Sequence, residues 1–247
     1  MLLSDFPIIE LECIDSTNNY AMQLIDANKA QHGLTIVAQS QLMGKGQRGK
    51  VWVDEPGQSL LMSIIVTPNV DISEQFAFNA SVAVSIANVL QKECPDTIVK
   101  IKWPNDIIIN DKKAGGILIE NILRGSRWTH CVIGIGINVL QVVLSPELVN
   151  GTSIKMSSGK TLEVAQLRNE LVSEILSVKW NTLSGEQKLT LYNNLLYKKD
   201  MQQLFRDGDQ IVATTILSVN LDGRLSVLID KNTIEHLYHG QMEWNWD

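Results

Sequence analysis

Thr97-Ile98-Val99-Lys100-Ile101-Lys102-Trp103-Pro104-Asn105-Asp106-Ile107-Ile108-Ile109 is the stretch on which the reading turns. Two β-branched runs, 97–101 and 107–109, flank a cation, a large aromatic ring, a proline, an amide and a carboxylate. The flanks predict strands. The pentapeptide between them cannot continue a regular central strand, because Pro104 removes a ladder donor and restricts Trp103. Polar groups set between apolar strands are costly unless something satisfies them. By itself the stretch allows two readings: a hairpin corner plugged by Trp103, or a turn that faces a ligand.

Outward from it, the pattern predicts a strand over Pro7–Cys13 and a helix to about Asp26, capped by Ser16 or Thr17. Strands are expected at 34–39 and 59–66, and a long helix opens at Ser73 and runs to about Gln91. Its alanines at 77, 80, 83 and 87 suggest close packing on a sheet. Further strands are expected at 98–103, 106–109, 115–122 and 128–139, then helices over 161–183 and 186–197. From Met201 the period shortens, with turn signals at Asp207-Gly208 and Asp222-Gly223. A small β-barrel or β-sandwich module is expected there, giving a division into residues 1–200 and 201–247.

Composition excludes several classes. The 247 residues carry a net charge of −6 and 45% hydrophobic residues, enough for a sizeable core. The acidic balance argues against a dedicated nucleic-acid binder. No apolar run is long enough to span a bilayer, and Met1–Asp5 lacks a signal-peptide pattern. Cys13, Cys94 and Cys131 lack metal or disulfide spacing; Cys13 and Cys131 read as small core residues. The expectation is a soluble cytoplasmic protein. The four histidines, 32, 130, 236 and 239, also lack metal spacing.

Four other segments carry chemistry. Gly44-Lys45-Gly46-Gln47-Arg48-Gly49-Lys50-Val51-Trp52 combines three glycines with three cations. Its Gly-x-Gly-x-x-Gly spacing fits a dinucleotide fingerprint, but that motif needs a helix right after the glycines, and Val51-Trp52-Val53 reads as strand. The others are Asp15-Ser16-Thr17-Asn18, which alone reads first as a helix cap, Lys112-Lys113-Ala114-Gly115-Gly116, and Gly134-Ile135-Gly136-Ile137-Asn138.

In this order and spacing the five segments resemble the biotin protein ligases, from about Leu11 to Asn138 and more weakly beyond. The resemblance implies an α/β fold of the α+β type: a mixed β-sheet with helices packed on one side, class II synthetase-like, followed by a small SH3-like β-barrel. It implies ATP-dependent activation of biotin as biotinyl-5'-AMP and transfer to a lysine of a biotin carboxyl carrier protein. Lys113 and Arg48 are the implied catalytic residues. Ser16, Thr17, Asn18, Gln41, Lys45, Gly46, Gln47, Lys113, Gly115 and Gly116 are implied for biotin. Lys45, Arg48, Trp52, Lys102, Asn105, Asp106 and Asn138 are implied for ATP, with Asp106 holding Mg²⁺, a cation that takes one or two carboxylates plus phosphates. Lys112 reads as a solvated neighbour, and Met242–Trp246 as core and rim of the C-terminal module.

The chain departs from the family at Lys45 and Gln47, where arginines are usual; loss of the second arginine implies looser retention of the adenylate unless Arg48 compensates. Lipoate or octanoate ligases and transferases of the same fold are the alternative, and the Lys102–Asp106 run and the cationic loop favour biotin. The ligand motif begins at Asp15, which leaves no room for the N-terminal DNA-binding domain of some relatives, so no sequence-specific DNA binding is expected. The family allows a homodimer.

Overall fold

All eight residues of Ser59–Val66 are buried, as a strand covered on both faces requires. In the computed structural model, which describes residues 6–125, 127–146, 148–229 and 232–245, this strand (β3) lies inside a seven-stranded sheet. The sheet is built from β1 (Ile8–Ile14), β2 (Thr35–Gln41), β3, β4 (Val99–Lys102), β5 (Asp106–Ile109), β6 (Lys112–Arg124) and β7 (Arg127–Asn138). Their spatial order is β1-β2-β3-β7-β6-β5-β4. Only β1 and β2 run parallel, joined by the crossover helix α1 (Thr17–Asp26); the other pairs are antiparallel.

Helices lie on both faces of this sheet, not on one. On the first face, Leu60, Met62 and Ile64 of β3 join Ile133, Ile135 and Ile137 of β7 in the main core. That face is covered by α2 (Gln75–Glu93), with Ala77, Ala80, Ala83 and Ala87 all buried. Small side chains let the helix lie close to its neighbours. α4 (Val164–Ile175) and α6 (Gly185–Leu195) pack against α2. On the second face, Ile65 and Val132 join Leu34 and Ile36 in a smaller cluster that α1 covers through Ala21 and Ile25. One ten-residue helix cannot cover the whole face, and the remainder is left to the candidate site.

One short helix, α3 (Ile154–Ser158), was not expected from the sequence, and α5 (Lys179–Thr182) falls within the last part of the helix expected over 161–183. The helix expected over 161–183 is broken: α4 begins after Glu163 rather than at Thr161 and ends at Ile175. The 3-10 turn Ile72–Glu74 precedes α2 and is capped by Asp71, whose carboxylate accepts from the Ser73 N–H at 2.9 Å. Cys13 is exposed, contrary to expectation, because it stands on the edge strand β1 away from either core; Cys94 and Cys131 are buried.

Strands β8 (Gln202–Asp207), β9 (Gln210–Val219), β10 (Leu225–Ile229), β11 (Thr233–Leu237) and β12 (Glu243–Trp244) form a second sheet in the order β11-β10-β9-β8-β12. The expected barrel does not close. β12 has two residues, enough to pair with β8 but not to reach β11. Phe205, Ile216, Val219, Leu225 and Val227 share one continuous core with Ile101 of the first sheet and Trp103 of the turn that follows β4. Among the described residues no helix is long and apolar enough to cross a membrane.

Candidate active site

The open part of the second sheet face is floored by glycine. Gly116 of β6 pairs with Gly136 of β7, and Asp106 pairs with Gly116 in the same row. A Cβ at Gly136 would stand 2.7 Å from the Trp52 ring, and one at Gly134 would meet Asn18 Oδ1 at 2.3 Å. The bare backbone is therefore what admits Trp52 and Asn18 to the floor. Above it lies a cleft of about 830 Å³ walled by α1, the glycine loop, the Lys102–Asp106 turn, the segment 148–151 and residues 239–244.

A polar chain fills one end. The Gln41 side-chain oxygen accepts from the Thr17 N–H at 2.8 Å and lies 3.1 Å from the Thr17 hydroxyl. Ser63 Oγ is 2.7 Å from Thr17 Oγ1 and 2.6 Å from Asn18 Oδ1. Asn18 Oδ1 can only accept, so Ser63 donates to it and the Thr17 proton is left for Ser63 or Gln41. Asn18 Nδ2 donates to Glu120 Oε2 at 2.7 Å, and Glu120 lies 3.8 Å from the Lys45 ammonium. Ser16, Thr17, Asn18 and Ser63 are all buried. Such a network orients both donors and acceptors, provided every member is satisfied.

The other end is charged. Lys113 Nζ stands 2.6 Å from Asp106 Oδ1. Strand alternation would send Lys113 to the far face. A register shift lets Ile107 pair with Gly115 and Ile108 with Lys113, leaving Ala114 as an extra residue. That bulge re-aims the lysine into the cleft. Lys102 lies over the Trp244 ring, 4.7 Å from its centroid. Burial lowers its ammonium from the usual lysine range to about 8; Asp106 opposes the shift, while Lys113 and Lys50 add to it.

The glycines at 44–49 lead to a single 3-10 turn, Gln47–Gly49, with Arg48 at φ 55°, which bears out the rejection of the dinucleotide fingerprint. Val51–Val53 is not a strand; Val51 makes only one bridge, to Lys45, because Trp52 turns down onto the glycine floor. Lys45, Arg48 and Lys50 are exposed. Arg48 Nη1 approaches the His239 carbonyl at 3.5 Å, and a Cβ at Gly240 would fall 1.0 Å from it. Arg48 thus ties the loop to the C-terminal sheet.

Most residues expected at the site meet in this cleft: Ser16, Thr17, Asn18, Gln41, Lys45, Gly46, Gln47, Arg48, Trp52, Lys102, Asn105, Asp106, Lys113, Gly116 and Asn138 all line it. Gly115 does not; its Cβ position points at the Gly136 carbonyl and Ile137. Asn105 and Asn138 are already engaged. Asn105 Nδ2 donates to the Ile117 carbonyl, and Asn138 Nδ2 donates to the Thr152 carbonyl at 3.0 Å. Trp103 satisfies both readings left open by its sequence: it is buried, its Nε1 donates to the Gly223 carbonyl at 2.9 Å, and its turn lines the cleft. Lys112 is exposed, as expected.

Other residues were missed. Ser63 and Glu120 signalled themselves only as polar residues in otherwise apolar strands. His239, Met242, Glu243 and Trp244 also line the cleft, although 242–246 was read as module core and rim. Trp244 does stack on Phe205, with ring centroids 5.2 Å apart; Trp246 lies outside the described residues. His239 stands edge-on to Trp103 at 5.5 Å, and burial, reinforced by Arg48, lowers its imidazole below the usual histidine value.

No group of three or more His, Cys, Asp or Glu gathers among the described residues to form an all-protein metal cage. Asp106 offers one carboxylate, with one oxygen on Lys113. This donor set fits an ion held by a single carboxylate together with phosphate oxygens and water, as Mg²⁺ is commonly bound.

The sequence matches the Biotin/lipoate A/B protein ligase family over residues 10–138, just over half of the chain. The chain belongs to that family. Within it, the chain is 34% identical over 161 residues to the bifunctional ligase/repressor BirA of Bacillus spizizenii, covering 64% of this chain and 49% of that protein. It is 30% identical over 126 residues to the biotin--[acetyl-CoA-carboxylase] ligase of Paracoccus denitrificans, covering 51% of each. The chain thus spans about half the length of these relatives. Its fold is that of the biotin protein ligase from Aquifex aeolicus solved in complex with biotin and ATP: TM-score 0.79, 20% identity, covering 97% of this chain and 98% of that one. The Leishmania major biotin protein ligase in complex with biotinyl-5-AMP aligns with a TM-score of 0.67 at 23% identity, covering 94% and 98%.

Proposed function

We propose that this family member is an ATP-dependent ligase that activates biotin as biotinyl-5'-AMP and transfers it to a lysine of a biotin carboxyl carrier protein. One observation carries the reading: a satisfied polar chain and the Lys113–Asp106 pair occupy opposite ends of one cleft, with a cationic glycine loop along its side. The ureido ring of biotin needs donors and acceptors together, and Thr17, Asn18 and Gln41 offer both. Its carboxylate must then approach a polyanion, so cations must be concentrated where the two meet.

Lys113 is assigned to the reacting carboxylate and the α-phosphate, where an ammonium stabilises charge that grows in both half-reactions. Lys45, Arg48 and Lys102 offset the remaining phosphate charge, and Trp52 supplies a flat apolar face for a base or an acyl tail. Magnesium, when bound at Asp106, supplies further neutralisation of the phosphates. The biotin carboxylate oxygen attacks the α-phosphorus and pyrophosphate leaves. An acceptor amine then attacks the acyl carbon and AMP leaves. Residues 1–200 would bind and activate the substrates, and 201–247 would complete the wall. Closure of the glycine loop keeps water from the mixed anhydride.

Biotin-dependent ATP–pyrophosphate exchange tests the reading. Exchange with biotin and not with lipoate is expected. Exchange with lipoate alone would reassign the chain to the lipoate branch of its family.

A further inference from the structure

A second cavity, of about 300 Å³, opens beside the cleft between α2 and the Asp222-Gly223 turn. The two spaces share walls: Gln47, Pro104, Asn105, Ile117 and His239 line both. Two of the oxygens around the smaller one are unusual. Gln47 Oε1 and Asn79 Oδ1 are buried and have no hydrogen-bond partner among the described residues. Buried acceptors without donors are rare, and each calls for an explanation.

Apart from the Asn105 amide and the His239 imidazole, the remaining walls are apolar or neutralised. Phe76 and Tyr238 supply aromatic surface, and Asp222 and Arg224 are paired with each other. The walls are also fixed in place. A Cβ at Gly223 would meet the Phe76 ring at 2.7 Å, and the Gly223 carbonyl holds Trp103.

We propose that this side cavity admits the side chain of the acceptor lysine to the acyl-adenylate. The inference rests on the ligase reading above. A lysine has an apolar stem, which suits aromatic walls, and a polar tip. As a free amine that tip has two N–H donors and one lone pair. Two acceptor oxygens can take the two N–H groups and leave the lone pair directed at the cleft. The arriving ammonium first gives one proton to solvent. The nitrogen lone pair then forms the C–N bond, the C–O bond to phosphate breaks, and its electron pair leaves on AMP. A second proton passes from nitrogen to solvent, giving the amide. Asn79 is a positioning residue here; it touches the incoming amine and no atom of biotin or ATP.

Asn79→Leu fills the space and removes one oxygen, whereas Asn79→Asp keeps an acceptor. Four readouts separate the steps: biotin-dependent pyrophosphate exchange, capture of the activated acyl group by hydroxylamine, and transfer to a carrier domain and to N-α-acetyl-lysine amide. Exchange and hydroxylamine capture are expected to be unchanged in both variants. Asn79→Leu should raise the KM for the carrier domain about tenfold or more and depress transfer to the lysine amide alike, while Asn79→Asp stays within about twofold of the parent. Should Asn79→Leu not fold, Tyr238→Ala, a change at a largely exposed residue, carries the same test with a smaller rise. Unchanged transfer in a folded Asn79→Leu overturns the proposal, as does equal loss of exchange and transfer. Absence of biotin-dependent exchange in the unsubstituted protein removes the ligase reading itself and this proposal with it.

Discussion

The two ends of the cleft are built differently. At the α1 end, Thr17, Asn18, Gln41, Ser63 and Glu120 are fixed on a helix and three strands, and each side chain has a hydrogen-bond partner. Along the glycine loop, the cations are exposed, Arg48 sits at a positive φ, and the buried Gln47 Oε1 and Trp52 Nε1 have no partner among the described residues. The first region is organised before any ligand arrives. The second holds polar atoms whose partners a ligand can supply. Specificity for a small polar ring belongs with the rigid end, and charge neutralisation and exclusion of water belong with the loop.

The largest effect is expected where the two regions converge. Lys113→Ala should lower pyrophosphate exchange about 10²–10³-fold while weakening biotin binding less, by about tenfold, measured by calorimetry alongside exchange kinetics. Near-normal exchange would remove Lys113 from the reaction.

Next comes the rigid end. Ser63→Ala leaves Asn18 Oδ1 buried without its donor, a loss of about 1–3 kcal/mol. It should weaken biotin binding about 10-fold or more, with ATP affinity unaffected. Equal weakening for both ligands would mean that the two ends are not independent.

The Lys102 ammonium gives a smaller, pH-dependent signature. Its lowered value of about 8 means that it is charged below that pH and loses charge above it. ATP affinity should therefore decline as pH rises from 7 to 9. Lys102→Arg, charged throughout this range, should flatten the profile; an equally steep decline would assign the effect to another group.

The smallest effect sharpens the loop's side of the comparison. Gln47→Arg should slow release of the acyl-adenylate, since an added cation beside the phosphate opposes its departure. Equal release rates, followed by stopped-flow fluorescence of the cleft tryptophans, would show that Gln47 does not govern retention.

Much of this was legible in the sequence because it is local. β3 occupies the residues its apolar run marked, and Ser16 stands at the N-cap position of α1, although its side chain makes no capping bond. Residues 102–106 gather Lys102, Asn105 and Asp106 by chain continuity alone. What could not be read depends on pairing between distant segments. Lys113 faces Asp106 only through the bulge at Ala114, which strand register decides. Ser63 becomes a site residue only when α1 crosses β3. His239 reaches Trp103 across more than a hundred residues, and no period in 201–247 announced that the second sheet would stay open and lend its edge to the cleft.

A crystal soaked with biotin and a non-hydrolysable ATP analogue tests the division of labour most directly. The biotin ring should lie against Thr17, Asn18 and Gln41, its carboxylate about 3 Å from Lys113 Nζ, with residues 44–52 folded over both molecules. A bound pair with Lys113 turned away and the glycine loop pointing into solvent would contradict the account.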